Sequence, residues 1–471
     1  MESVRDEQKP IDVLILAAGL GTRMRSNIAK VLHRLDGRPL INHVSRTAAA
    51  LGPQKIYVIV GHQGEEVKRA VAEELPEDQT VFVVQGKQLG TGDAVNAARP
   101  YLENEDSTLV ILSGDVPMIR AETLAGLIQH HRTHRARGAT GTILTVKLKD
   151  PTGYGRIIRD REGLFEKIVE QKDASEDERL INEINAGIYC FDSQKLFAAL
   201  SHVQNNNAQG EYYLTDVPGI LRAAGEDVAI FSHHDAFEIE GVNNRVQLAD
   251  LERLLCRRTV SKLMLDYGVS FIDPKNVYIS EQASIGRDTV VHPNATVEGR
   301  SVIGDGCTIR SGTRITNSTI GRSVEVMENC VIVDSEIADE CTVGPMAHIR
   351  GHAKLEQRSK VGNFVELKKT VLGSRSKASH LTYLGDATIG ENTNIGAGTI
   401  TCNYDGKNKN PTTIGSNVKI GSDTMLVAPV EVGDGSVTAA GSVVIENVPA
   451  DSLVAGVPAK IKKRLKQDVG G

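Results

Sequence analysis

Two glycines and an arginine carry the first chemistry in this chain. In LAAGLGTRM, Leu16 to Met24, Gly19 and Gly21 directly follow an apolar run. They therefore fall at the carboxyl end of a strand, where backbone amides can approach a phosphate closely. Arg23 sets a planar cation beside them. The segment is not a dinucleotide fingerprint, since the third Gly of G-x-G-x-x-G would fall at Met24, and no G-x-x-x-x-G-K-S/T loop occurs. Gln85 and QLGTGDA, Gln88 to Ala94, bring amide, Gly and Thr groups suited to reading a base edge. GDVP, Gly114 to Pro117, sets Asp115 after a further apolar run. An Asp in that place is commonly a turn residue or helix N-cap. Beside phosphate-type loops at neighbouring strand ends, ligation of Mg²⁺ is the better account.

The elements that must position these groups are short apolar runs. Val13 to Ala18, Ile56 to Val60, Val81 to Val84 and Leu109 to Leu112 each precede an amphipathic or polar stretch. Runs apolar on both faces suit central parallel strands, so the region reads as a doubly wound α/β sheet. Thr142 to Lys147, Ile157 to Ile158 and Ile184 to Phe191 extend the unit to about residue 245, as a second lobe closing over the first. From Arg245 to Asp266, Leu248, Leu251, Leu254, Leu255, Leu263 and Met264 recur at helical spacing without Gly or Pro. One connecting helix is expected there, with domains at 1–245 and 267–471 on either side of a linker at 246–266.

After residue 275 the period becomes six. Ile285, Val291, Val297, Ile303, Ile309 and Ile315 keep it, and Ile320, Val326 and Ile332 resume it after a five-residue step. Ile337, Val343, Ile349, Leu355 and Val361 follow, and Ile414, Ile420, Leu426 and Val432 close the series. Gly often comes next, as in Ile303-Gly304 and Ile320-Gly321. The pattern is a hexapeptide-repeat β-helix, each short face aiming one aliphatic side chain at a narrow axis and small residues or Gly making the corners. An axis too slim for Trp or Phe accounts for aromatics at only 4% and the absence of Trp. TCNYDGKNKNPT, Thr401 to Thr412, interrupts the period and marks an inserted loop.

The chain has 471 residues and a formal charge of −6, without the basic excess of a sequence-independent nucleic-acid binder. No apolar run approaches the roughly 18 residues of a membrane span, so neither nucleic acid nor membrane is an expected partner. Met1 to Pro10 is polar and acidic, unlike a signal peptide. Six cysteines without a C-x-x-C pair read as reduced thiols in a cytoplasmic protein.

LAAGLGTRM, with Lys30 in AKVLH, resembles the signature of sugar-1-phosphate nucleotidyltransferases. QLGTGDA, GDVP, DPTGYGRI, IVEQKDA, EINAGI, NAQGEYYLTD and EGVNN follow in the order seen in bacterial N-acetylglucosamine-1-phosphate uridyltransferases. The resemblance implies a Rossmann-like nucleotidyltransferase domain in which Leu16, Ala17, Ala18, Gly19, Gln85, Gly90 and Thr91 hold the uridine nucleotide. Gly155, Glu170 and Asn185 would hold the amino sugar, and Asp115 and Asn243 would bind Mg²⁺. A phosphate oxygen of N-acetylglucosamine-1-phosphate would attack the α-phosphorus of UTP and displace pyrophosphate, with Arg23 and Lys30 neutralising the phosphates. Ala29, Ser113 and Ala186 stand where the family pattern has Pro, Tyr and Thr.

GNFVELKKT, Gly362 to Thr370, and the stretch Ser376 to Gly406 resemble the acetyltransferase half of the same bifunctional family. This implies a left-handed parallel β-helix that transfers acetyl from acetyl-CoA to glucosamine-1-phosphate with His380 as general base. An amine attacking a thioester must lose a proton, and imidazole suits that role. Arg350, Lys368, Tyr383 and Asn394 would hold the sugar phosphate, while Ala397, Asn403, Tyr404, Ser422 and Ala440 would line the acetyl-CoA region. Gly351-His352 replaces the Pro-Gly of the pattern, and Gly456 stands where an Arg can contact coenzyme A. Lys460, Lys462, Lys463, Arg464 and Lys466 could compensate, although a solvated tail is the simpler reading. The resemblance further implies a cytoplasmic homotrimer, its acetyl-transfer sites between neighbouring β-helices, making UDP-N-acetylglucosamine for the bacterial cell envelope. The alternative is a single-activity nucleotidyltransferase whose β-helix serves only to trimerise it.

Overall fold

The computed structural model describes residues 9–19 and 21–464, and the chain divides after Leu251 into two compact units. The helix Arg245–Tyr267 runs across that division as one uninterrupted element. Leu251, Leu255, Val260 and Leu263 form its buried stripe, whereas Met264 is exposed.

The first unit is a mixed nine-stranded sheet among the described residues. Seven strands run across it in the order Asp227–His233, Ala139–Lys147, Glu183–Asp192, Thr108–Ser113, Ile11–Leu16, Lys55–Val60 and Thr80–Val84. Strands from Thr108–Ser113 to Thr80–Val84 are mutually parallel. Successive side chains of a strand leave opposite faces. Val13 and Ile15 therefore pack with Val58, Val110 and the helices Leu40–Ala49 and Ala121–Arg135, while Leu14 packs with Ile59, Ile111 and the helices Ser193–Leu200 and Val217–Ala223. Each such Leu or Ile contributes about 1.5–3 kcal/mol by leaving water, so both faces hold the strand ends in place.

The expected second lobe is absent as a separate body. Ala139–Lys147 and Glu183–Asp192 belong to the central sheet, where Glu183–Asp192 runs antiparallel to both neighbours. Only the hairpin Arg156–Arg159 and Phe165–Val169 stands off the sheet, joined to it at Arg156 and Ile184. A strand buried on both faces is apolar throughout in either direction, so its sequence does not reveal which way it runs.

The second unit is a β-helix of three sheets with twelve, ten and nine strands among the described residues. From Ser270–Phe271 to Val443–Val444 the paired strands are parallel and three places apart, as in Val291 with Ile309, 18 residues ahead; the last two strands of the twelve-stranded sheet depart from this, Val437–Thr438 pairing with Ser452–Ala455 and that strand antiparallel with Lys460–Arg464. The five-residue step shortens a coil to 17, pairing Ile309 with Val326, and the inserted loop lengthens one to 25, pairing Ile389 with Ile414. Every residue of the six-period series lies on the axis, 2% exposed or less. Gly after the aliphatic residue is steric necessity at Gly304, where a Cβ would come within 2.6 Å of the Gly321 carbonyl oxygen.

Two expectations about size are corrected here. Phe271 occupies an axis position in the first coil, paired with Val291, so the axis admits an aromatic ring in its first coil. The corners are not all small either. Met346, Phe364 and Leu381 adopt the left-handed conformation and remain exposed, because a corner side chain points outward where its bulk is unconstrained.

Among the described residues no helix is long and apolar enough to cross a membrane, and all six cysteines are free.

Candidate active sites

The four parallel strands of the first unit deliver their following loops to one edge of the sheet. Gly114 follows Ser113 and donates its N–H to the Leu16 carbonyl at 2.9 Å. The strand order reverses between Ile11–Leu16 and Thr108–Ser113, the kind of switch point at which open α/β sheets bind ligands. Gly21, left-handed at φ 61°, packs on Lys30, where a Cβ would come within 2.5 Å of the Lys30 Cβ. The glycine thus brings the phosphate-type loop and the lysine together.

Lys30 forms an ion pair with the Asp115 carboxylate, and its ammonium also donates to Asn243 Oδ1 at 3.3 Å. Arg23 donates from Nη2 to the same amide oxygen at 2.8 Å. Val242 donates its N–H to the Asp115 carbonyl at 2.9 Å, which fixes Asn243 beside Asp115. Arg23, Lys30, Asp115 and Asn243 therefore form one cluster, drawn from three connecting segments. A carboxylate oxygen and an amide oxygen already share one cation there, a donor pair of the hard type that suits a divalent ion completed by phosphate and water. No cluster of three or more His, Cys, Asp or Glu with metal-holding geometry occurs among the described residues.

The nucleotide-loop residues also come together. Gln88 donates its side-chain amide to the Ala18 carbonyl. Gln85, buried, donates to Asp93 Oδ2 at 2.7 Å and to the Gly90 carbonyl at 3.3 Å, leaving its own oxygen as an acceptor. Gly90 at φ 120° has no room for a side chain, since a Cβ would meet Tyr212 O at 2.5 Å. Thr91 Oγ1 accepts from the Leu214 N–H at 3.1 Å.

Gly155, Glu170 and Asn185 meet at the hairpin junction. Asn185 N–H donates to Gly155 O at 2.9 Å, and a Cβ on Gly155 would lie 3.5 Å from Glu170 Oε1. Asn185 also donates to the Tyr189 hydroxyl at 2.7 Å. Glu170 accepts from Thr215 Oγ1 at 3.1 Å. Burial, reinforced by Asp173 and Asp216, pushes its carboxyl above the usual range.

In the second unit the repeat itself arranges the residues. The corner residues Phe364, Leu381, Gly398, Asp423 and Gly441 stack on successive coils with positive φ, joined by bonds such as Leu381 N–H to Asn363 O and Asp423 N–H to Ala397 O. The residue before each corner consequently forms a second column: Asn363, His380, Ala397, Ser422 and Ala440. Three residues expected at acetyl-CoA thus lie in line with His380. Asn363 and His380 are register partners, and His380 Nδ1 lies 2.5 Å from Asn363 Oδ1.

Arg350 and Lys368 are register partners on the adjoining sheet. Arg350 Nη2 lies 2.6 Å from Glu366 Oε1 and Lys368 Nζ lies 3.6 Å from Asp386 Oδ2. Asn403 donates to the same Asp386 oxygen at 2.5 Å, and Tyr383 pairs with Glu366. Asn394 sits one coil beyond Lys377. Tyr404 lies in the inserted loop, its ring 4.5 Å from Lys409 Nζ. Lys460–Arg464 is a strand paired antiparallel with Ser452–Ala455, its side chains exposed; Lys466 lies outside the described residues. Sequence reasoning missed Asn363, Glu366 and Asp386, although each stands one coil, 17 or 18 residues, from a residue it did single out.

A family description for nucleotidyl transferases matches residues 12–236. One for the GMPPB C-terminal domain matches residues 274–356, and one for the bacterial transferase hexapeptide, six repeats, matches residues 411–446. The chain is 47% identical to "Bifunctional protein GlmU" of Shouchella clausii over 97% of its length and 99% of that protein's. It is 48% identical to the protein of the same name from Geobacillus sp., over 93% and 94% of the two chains. The one from Heliobacterium modesticaldum is also 48% identical over 93% and 94%. Full-length identity of this order, with a transferase description matching in each half, shows that the chain belongs to the GlmU family of bifunctional enzymes, nucleotidyltransferase in its first unit and hexapeptide-repeat acyltransferase in its second.

Proposed function

We propose that the cluster of Arg23, Lys30, Asp115 and Asn243 performs the uridylyl transfer of this family and that His380 is the base of its acetyl transfer. In the second unit, the amine of glucosamine-1-phosphate attacks the thioester carbonyl of acetyl-CoA while His380 takes its proton. Arg350 and Lys368 exchange their carboxylate partners for the sugar's phosphate, a match of cation to dianion. Tyr383 and Asn394 orient the sugar, and Ala397, Asn403, Tyr404, Ser422 and Ala440 line the thioester's channel.

In the first unit the nucleophile, a phosphate oxygen of N-acetylglucosamine-1-phosphate, is already anionic and needs no base. Positioning and charge neutralisation then carry the reaction. Leu16 to Gly19, Gln85, Gly90 and Thr91 seat the uridine nucleotide, and Gly155, Glu170 and Asn185 seat the sugar. Arg23 and Lys30 neutralise the phosphates. Asp115 and Asn243 would hold Mg²⁺, which when bound would supply Lewis-acid neutralisation of phosphate charge. The product is UDP-N-acetylglucosamine, made in the cytoplasm by a homotrimer.

The column that runs from His380 through Ala397, Ser422 and Ala440 carries the acetyltransferase half of this reading, because a purely structural β-helix has no use for a basic side chain held in such a column. Thiol release from acetyl-CoA with glucosamine-1-phosphate tests it. The wild-type chain should release thiol and His380→Ala should not; a wild-type chain that releases none leaves the β-helix as a trimerisation module. Monomeric variants should lose acetyl transfer and keep uridylyl transfer.

A further inference from the structure

The proposed base has a partner on the neighbouring coil. Asn363 and His380 are register partners in adjacent parallel strands, spaced about 4.8 Å apart as sheet geometry requires. Val361 and Ala378, two residues before them, are both fully buried on the axis. The left-handed corners at Phe364 and Leu381 follow immediately. Both side chains are therefore anchored on either side, and neither can slide along the strand without moving a core residue. Between them His380 Nδ1 and Asn363 Oδ1 lie 2.5 Å apart.

An amide oxygen only accepts a hydrogen bond, so the proton in that contact belongs to Nδ1. With Nδ1 protonated, the neutral ring carries its lone pair on Nε2. We infer that Asn363 is a positioning residue for acetyl transfer: its side-chain oxygen holds His380 as the Nδ1–H tautomer and turns Nε2, with a free lone pair, toward the substrate amine. The inference rests on the assignment of His380 as base. In the step it serves, the amine nitrogen bonds to the thioester carbonyl carbon and its proton passes to Nε2. The carbon–sulfur bond then breaks, and the same proton leaves Nε2 for the departing thiolate. One proton shuttles through one nitrogen, so a ring with Nε2–H has nowhere to receive it.

The choice of an amide over a carboxylate follows from the same logic. Aspartate at this place would also accept from Nδ1–H, but its charge would favour imidazolium and keep the base protonated to higher pH. Asparagine sets the tautomer without adding charge.

The test uses the full chain, with denaturant unfolding of the second unit, compared between variant and wild type, as the control for folding. Asn363→Ala should lower kcat for acetyl transfer about ten- to hundredfold, the cost of losing an orienting partner, with KM for both substrates changed less than about threefold. Asn363→Asp should recover most of that loss on the alkaline side and move the acid limb of its pH profile up by about one unit. Nitrogen-15 chemical shifts of the His380 ring should report Nδ1–H in the wild type and a mixture in Asn363→Ala. Asn363→Ala within twofold of wild type, a ring protonated at Nε2 in the wild type, or an Asn363→Asp variant as slow as Asn363→Ala with an unmoved acid limb would each overturn the inference. If His380→Ala itself retains wild-type acetyl transfer, the base assignment has failed instead, and that result is read separately from the Asn363 series.

Discussion

The two candidate sites of this chain are assembled by opposite means. In the first unit Arg23, Lys30, Asp115 and Asn243 come from three connecting segments and are brought together by side chains that satisfy one another. In the second unit Asn363, His380, Ala397, Ser422 and Ala440 come from successive turns of one repeat, and their alignment is set by strand register. A loop-built cluster depends on charge balance, so removing one member leaves its partners unpaired. A register-built column depends on the buried axis behind it, so it is vulnerable to packing changes far from any reacting atom. The sharpest way to break the comparison is to disable each half alone. His380→Ala should reduce acetyl transfer about 10²–10⁴-fold, the range for removing a general base, with uridylyl transfer unchanged. Asp115→Ala should do the reverse, and parallel assays of thiol and pyrophosphate release would reveal any cross-effect.

Removing a cation from the loop-built cluster is the next test. Lys30→Ala and Arg23→Ala should each lower uridylyl turnover about 10²–10³-fold, as for loss of one preorganised electrostatic contact. Lys30→Ala should cost more, since it leaves Asp115 without its ion-pair partner whereas Arg23 touches only the Asn243 amide. Near-normal rates in a folded variant would remove these cations from the reaction.

The register-built column predicts an effect at a distance. Ile349 lies on the axis, fully buried, in the coil before Leu367, and Ile349→Ala should cost about 2–5 kcal/mol of the second unit's stability by leaving a cavity. Its half-buried strand neighbours His348 and Arg350 should loosen with it. Acetyl transfer should therefore fall at denaturant concentrations where uridylyl transfer persists, measured on the same sample.

How much of this was legible in the sequence follows from the same contrast. The axis residues betrayed themselves through a period of six because each faces one narrow space, and the motifs at the strand ends marked their loops. Partnerships across the chain left no local trace. Lys30 and Asp115 are 85 residues apart, and nothing in AKVLH or GDVP says that the lysine rests on the aspartate. The direction of the Glu183–Asp192 strand and its place in the central sheet were invisible for a different reason, since burial on both faces erases the alternation that would signal them. Asn363 was hidden only by not counting one coil back from His380, because register in a repeat converts sequence distance into contact.

The smallest predicted effect concerns protons rather than contacts, and it sets the two units apart once more. Glu170 is held above the usual carboxylate range first by burial, then by Asp173 and Asp216, against which the Thr215 hydrogen bond and the more distant Arg156 cation act. A carboxyl raised in the folded state binds its proton more tightly than in the unfolded chain, so folding takes up protons in that window. Stability of the first unit should consequently fall as pH rises from the ordinary carboxylate value through Glu170's own raised value. Asp216, raised by burial and by Asp173, adds a slope of the same sign. Glu170→Gln removes the ionisable group while keeping an oxygen for Thr215, so it should flatten but not abolish the decline and should stabilise the ligand-free unit at neutral pH. The same change should raise KM for the sugar phosphate, because the carboxylate that costs stability is the one proposed to grip the sugar. Hydrogen exchange of the Thr108–Ser113 amides across pH measures the slope, while the amides of the axis strands, which lack a buried carboxylate of this kind at His380, should show none of the change. An unaltered slope in Glu170→Gln would transfer the effect to Asp216 and leave Glu170 a sugar contact alone.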